Sequence, residues 1–151
     1  MPKTIAKDTP LSEITLRRYE KPGKLTEREH VRKICLSLGL LQPGDSRDVM
    51  VDVLHVLIKA RREKKGLSSE EIEREVIENR KKHHRAPQGI ASSNILRQIR
   101  RLREMLLVEK IADKYRIVEF EDLGVLFEQK IEQFYLRSIT ERVKEYLSGA
   151  K

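Results

Sequence analysis

Residues 48 to 63 read DVMVDVLHVLIKARRE, and no other stretch constrains the fold as tightly. The alternation of apolar and polar residues is compatible with a strand. Asp48, Asp52, His55, Lys59 and Arg62, however, recur at three- and four-residue spacing, which is one narrow stripe on a helix. A helix over roughly residues 46 to 65 is then apolar around most of its circumference and needs neighbours on two sides. It is expected to be the central support, packed between the elements that follow it and the terminal helices, with Asp45 or Ser46 as its N-cap. On that polar stripe His55 reads as an ordinary solvated or hydrogen-bonded histidine, not a catalytic one.

The neighbours can be read from the same periodicity. Upstream, LTEREHVRKICLSLGLL predicts a short helix with Thr26 and Glu29 as a capping box and Val31, Ile34, Cys35 and Leu38 on one face, ended by QPGD. The first two dozen residues are poorly periodic and are expected to form a mobile or loosely docked arm. Downstream, GLSSEEIEREVIENRKK predicts a helix capped by Ser68 with Glu71, with Ile72, Val76 and Ile77 facing inward. A loop marked by Pro87 and Gly89 follows. Ser92 or Ser93 then caps a helix with Ile95, Ile99, Leu102 and Leu106 inward and Leu96 and Met105 at the flanks. Arg97, Arg100, Arg101 and Glu104 fall on the opposite side, with Asn94 and Gln98 beside them. LLVEKI and KYRIVEF, β-prone stretches around Ala112 and Asp113, have the layout of a tight hairpin.

The C-terminal stretch predicts one helix of about 27 residues, or two with a bend, spanning about 40 Å. Leu123, Phe127, Ile131, Phe134, Ile139, Val143 and Tyr146 run along it. That length outreaches a small domain. Leu123, Phe127, Ile131, Phe134 and Ile139 are therefore expected to meet a second copy of the chain in a homodimer.

Charge is informative once it is located. The chain of 151 residues has a formal net charge of +8. Residues 80 to 116 hold eleven Lys and Arg against three Asp and Glu, and the remainder holds twenty-one of each. The whole excess therefore lies in one quarter of the chain, the footprint expected of a polyanion-binding surface. The overall richness in Lys, Arg and Glu, at 37% charged residues with no Trp, leans towards a thermophile.

Three helices, the third basic and outward-facing, followed directly by a hairpin, resemble the winged-helix DNA-binding domain. The likeness covers residues 46 to 119 and is carried by GLSSEEIEREV and SSNILRQIRRLREMLLVEKIADKYRIVE. It looks like the recognition helix and wing of transcription regulators common in archaea and bacteria. The connection RKKHHRAPQG between second and third helices is longer than a plain helix-turn-helix turn. The resemblance implies a mainly α fold with a small β-hairpin wing, a winged helix-turn-helix with additional N- and C-terminal helices. The division is an arm and helix over 1–45, the DNA-binding domain over 46–119 and a dimerisation helix over 120–151.

The chemistry supports the same expectation independently. A helix fits the major groove, where arginine pairs with guanine and Asn or Gln with adenine. Ser92, Ser93, Asn94, Arg97, Gln98, Arg100 and Arg101 on the third helix suit base reading and phosphate anchoring. Lys110, Lys114 and Arg116 on the wing suit phosphates or the minor groove, and Lys81, Lys82, His84 and Arg85 in the loop suit phosphates. The expected partner is double-stranded DNA, bound sequence-specifically by a homodimeric regulator. Two rivals are a winged-helix subunit of a larger nucleic-acid machine (replication, RNA processing or basal transcription) and a protein-interaction module whose basic face meets an acidic partner.

Other classes find little support. His83 and His84 are adjacent, so their rings point apart, and the other histidines, His30 and His55, have no cysteine pair to complete a site. There is no phosphate-cradling glycine loop and no nucleophile, base and orienter set. No enzyme, cofactor or metal is expected. The single cysteine, Cys35, excludes an internal disulfide and reads as a small apolar residue in a reducing compartment. No apolar run approaches about 18 residues and the start lacks an apolar signal core, so the expected location is cytoplasmic and nucleoid-associated, away from the membrane.

Overall fold

The computed structural model describes residues 7–150. These are mainly helical, with one two-stranded antiparallel sheet. Helix α1 spans Glu27–Ser37, α2 Val49–Arg62, α3 Ser69–Lys82 and α4 Ser92–Glu104. Strands β1 (Val108–Ile111) and β2 (Lys114–Ile117) follow, then a helical stretch made of α5 (Leu123–Leu126), a π-helical segment (Phe127–Leu136) and α6 (Arg137–Ser148). Among the described residues no helix is long and apolar enough to cross a membrane.

Helix α2 occupies the centre, as its apolar circumference demands. It packs against α1, α3, α4 and β2, and every residue from Val49 to Leu57 is buried. That run includes Asp52 and His55, and Asp48 just before it is buried too. Asp48, Asp52 and His55 of the polar stripe are thus interior, while Lys59 is half-buried and Arg62 is exposed. Asp48, not Asp45 or Ser46, occupies the N-cap position, and its side chain makes no capping hydrogen bond. Its carboxylate is turned inward to arginines.

Both expected capping boxes form. Thr26 and Glu29 exchange side-chain and backbone hydrogen bonds at the start of α1, as do Ser68 and Glu71 at the start of α3. Each satisfies two otherwise orphaned amides. At α4 neither Ser92 nor Ser93 is the cap. Ala91 holds that position without a side-chain bond, and the Ser92 hydroxyl donates instead to Glu73 at 2.8 and 2.9 Å. Leu106, expected on the inner face of α4, lies beyond its end with φ +67°, and Leu107 is the buried residue there.

The hairpin turns at Ala112 and Asp113, both with positive φ (50° and 63°), the backbone of a two-residue primed turn. Val108 pairs with Ile117 and Ile111 with Lys114. Leu67, between α2 and α3, adds a further antiparallel bridge. Its amide donates to the Tyr115 carbonyl at 3.0 Å, and the Tyr115 amide donates to its carbonyl at 2.7 Å. The segment before α3 is thereby tied to the hairpin that follows α4.

The N-terminal arm is anchored more firmly than expected in its described part. The Arg17 amide donates to Ser37 O at 2.9 Å, while its guanidinium donates to Leu36 O, Leu41 O and Gln42 Oε1 at 2.8 to 3.0 Å. Gly39 permits the approach: with φ +71°, a Cβ there would lie 2.7 Å from the Thr15 carbonyl. Residues 1 to 6 of the expected arm lie outside the described residues.

The C-terminal helical stretch corrects the expected dimer edge. Leu126 and Ile131 are buried in the protein's own core, and Leu123 and Phe127 pack against it. The i→i+5 closure of the π segment aligns residues four and five apart, so Leu126, Ile131 and Tyr135 meet one side. Tyr135 donates its hydroxyl to Glu13 O at 3.0 Å. Ile131 is therefore not free for a second copy, while Leu123 and Phe127 are half-buried. The exposed apolar edge lies further along, at Phe134, Val143, Tyr146 and Leu147, with Ile139 half-buried.

Candidate nucleic-acid interface

Helix α4 rests on α2 through Ile95, Ile99 and Leu102, each at most 1% exposed. The 3.6-residue period then sends Ser93, Arg97, Arg100 and Glu104 to the solvent side, and all four are exposed. Arg97, Arg100 and Arg103 have no acidic partner among the described residues. A shallow groove between α4 and the hairpin, lined by Arg100, Arg103, Glu104 and Lys110, continues this basic surface onto β1.

Asn94, Gln98 and Arg101 lie on a different flank. They form a chain in which Asn94 Nδ2 donates to Gly89 O at 2.7 Å and Gln98 Nε2 to Asn94 Oδ1 at 3.0 Å. Arg101 Nη1 donates to Gln98 Oε1 at 2.9 Å. All three are half-buried and line a cleft of about 530 Å³ whose other wall is the loop joining α1 to α2. Arg101, expected on the outward face, is thus held sideways. Gly89 accepts from Asn94 with φ +78°, and a Cβ there would lie 3.0 Å from Val49 Cγ2 and 3.2 Å from Asn94 Nδ2.

The hairpin cations are partly neutralised. Arg116 Nε lies 2.7 Å from Glu109 Oε2 and its guanidinium stacks on Phe120 at 4.8 Å. Burial works to raise the Glu109 carboxyl, but hydrogen bonds from the Glu119 amide and Arg116 outweigh it and hold the pKa low. Lys110 lies 3.7 Å from Asp113, and Lys114 lies 3.6 Å from Glu71. Lys81, Lys82, His84 and Arg85 are exposed in and beside the loop, the last two on the turn that His84 makes with φ +55°.

Arg80, counted in the local charge excess, is instead 3% exposed. It donates to Ala86 O at 2.8 Å, to Asp48 Oδ1 at 3.0 Å and to Asp52 Oδ2 at 2.6 Å. Arg28 from α1 donates to both Asp52 oxygens, at 3.0 and 2.8 Å, and Asn79 Nδ2 to Oδ1 at 2.9 Å. Arg32 reaches Asp48 at 3.0 Å from the rim. Burial alone would raise the Asp48 carboxyl; the Arg80 hydrogen bond and the charges of Arg28 and Arg80 hold it below its ordinary value.

This network also anchors the long α3–α4 connection, because the Arg80 side chain bonds the loop backbone at Ala86. Sequence reasoning missed it. The available signal was Asp48 and Asp52 on an otherwise apolar helix, which as buried carboxylates require cationic partners.

His55 completes the interior polar set. Asn79 Nδ2 lies 3.1 Å from its Nδ1, and the other Asn79 N–H serves Asp52, so Nδ1 accepts and Nε2 carries the hydrogen. Nε2 lies 3.6 Å from Glu27 Oε2, beyond hydrogen-bond reach, and has no hydrogen-bond partner among the described residues. Among the described residues no group of three or more His, Cys, Asp or Glu is arranged to hold a metal ion. Burial pushes the Cys35 thiol up to about 12, so it is not a nucleophile.

No family model matches the sequence, and neither the curated proteins nor the solved structures compared with it include a match.

Proposed function

We propose that the protein binds double-stranded DNA as a winged helix-turn-helix, with α2, α3 and α4 as its three helices and the β1–β2 hairpin as its wing. The observation that carries this reading is the exposed set Arg97, Arg100 and Arg103, free of acidic partners on a helix whose opposite side is fully packed. Fixed positive charge without internal neutralisation is what a phosphate backbone rewards through counterion release. The bridge between Leu67 and Tyr115 supports the reading, because it ties the segment before α3 to the wing. The mechanism would be occupancy of a duplex site, with sequence read by α4 in the major groove and transcription blocked or promoted there.

A homodimer through the exposed edge that runs from the end of the π segment along α6 would give a near-palindromic site with half-sites about 34 Å apart. That same edge, at Phe134, Val143, Tyr146 and Leu147, also fits docking onto a different subunit of a larger nucleic-acid complex. Light scattering of the full chain at tens of micromolar separates the two: a mass of two chains supports the regulator, and a single chain supports the docked subunit.

The test of DNA binding is the double substitution Arg97→Ala and Arg100→Ala. Neither side chain touches the core, so circular dichroism and melting should be unchanged while duplex affinity in a mobility-shift titration collapses. Undiminished binding by the double variant would remove α4 from the interface.

A further inference from the structure

The cleft beside α4 is open to solvent and chemically mixed. At about 530 Å³ it lies within the range of small-molecule sites. Its floor is apolar, with Leu41, Val49 and Met50 at 4%, 3% and 2% exposure. Its walls carry the amides of Gln42, Gln88, Asn94 and Gln98, the guanidinium groups of Arg47 and Arg101, and one carboxylate, Asp45, which accepts from the Arg47 amide at 2.9 Å.

Much of that polar capacity is unused. Asn94 and Gln98 each commit one N–H and their oxygen to the chain that runs from Gly89 to Arg101, leaving one N–H apiece. Arg101 uses one donor of the five that a guanidinium has. The side chains of Gln88 and Arg47 have no hydrogen-bond or ion-pair partner among the described residues. An apolar floor suits the face of an aromatic base, carboxamides suit its donor and acceptor edge, and guanidinium groups suit a phosphate.

We propose that this cleft receives one nucleobase with its 5′-phosphate, turned out of a strand held on the arginine face of α4. The inference rests on the nucleic-acid reading above and adds a second determinant to it. A base leaves the stack at least cost where it is unpaired. The protein would therefore favour a duplex with an extrahelical base over a fully paired one. A free mononucleotide presents the same chemistry from another source.

The experiment uses the full chain and two labelled duplexes of one sequence, fully paired or carrying a single unpaired purine, in fluorescence-anisotropy titrations. The unpaired purine should raise affinity by roughly tenfold, and the ratio should fall towards one in the pair Arg47→Ala and Gln88→Ala. Because the readout is a ratio, a general loss of affinity cancels. Equal affinity for the two duplexes overturns the inference and leaves the DNA reading standing, as does a ratio that the variant preserves. If neither duplex binds, the DNA reading fails, and adenosine and guanosine monophosphate then decide the cleft by melting shift. A shift seen in the natural chain and lost in the variant assigns the cleft to free nucleotide, and no shift overturns it.

Discussion

Arg80 Nη1 lies 2.6 Å from Asp52 Oδ2 and 3.0 Å from Asp48 Oδ1, so a guanidinium at the end of α3 closes a charge cluster inside the protein. Three helices meet there. Asp52 is 0% exposed and accepts four hydrogen bonds, two from Arg28, one from Arg80 and one from Asn79. A carboxylate has about four acceptor sites, so this one is saturated. The loop leading into α4 is tied to this cluster by the Arg80 Nε bond to Ala86 O at 2.8 Å.

Asp52→Ala should therefore be severely destabilising. It leaves Arg28 and Arg80 buried with only Asp48 as anion, and removing one partner of a buried ion pair costs about 3–5 kcal/mol. Urea denaturation followed by circular dichroism measures it. A cost under about 1 kcal/mol would mean that water enters the cluster and that the α3–α4 loop is held by something else.

Stability should decline with acid in two stages. Burial, with the charge of Lys59 second, lowers His55 from its ordinary value of 6.5, and the groups facing it are Glu27, Lys59, Asn79 and His83. A lowered pKa means the unfolded chain binds the proton more readily. The contribution of the neutral ring is thus fully present above about pH 6.5 and is lost as pH falls through the folded-state value. Asp48, also lowered, contributes above its unfolded value of 3.8 and is lost below that. Melting temperature against pH should show the upper stage in the natural chain and lose it in His55→Gln. An identical profile in the variant would assign the upper stage to another group.

Truncation should discriminate sharply along the C-terminal helical stretch. A chain ending at residue 136 keeps Leu126 and Ile131, at 2% and 0% exposure, in the core. Ending at residue 121 removes both, and each large-to-small loss in a core costs about 2–5 kcal/mol. The longer truncation product should melt near the full chain but lose any self-association through α6, and the shorter should fail to fold. Equal melting of the two would show that the π segment packs too weakly to matter.

Salt dependence should rank the cations by their internal pairing. Duplex affinity falls with salt in proportion to the phosphates neutralised, with a slope of about 0.9 for each. Arg100→Ala should lower that slope by nearly one. Arg116→Ala should lower it less, because Glu109 sits 2.7 Å away and already balances that charge. Equal effects from the two would mean that the wing pair opens on DNA.

Much of the framework was legible in the sequence because it depends on neighbours along the chain. Thr26 with Glu29 and Ser68 with Glu71 are three residues apart, and the capping boxes formed where that spacing put them. The apolar period of Ile95, Ile99 and Leu102 and the turn at Ala112 and Asp113 are equally local. Asp48, Asp52 and His55 are different. Periodicity marks them as one polar stripe, but whether it meets water or arginine depends on Arg28 and Arg80, 24 and 28 residues from Asp52. Arg101 is held sideways by Gln98, three residues before it, through a side-chain bond that apolar spacing does not register. The burial of Ile131 depends on a π segment that shifts the helical period away from the one used to read it. Local hydrogen bonding and apolar spacing are properties of the chain itself; the partner of a buried charge is supplied by a distant segment, and only packing brings the two together.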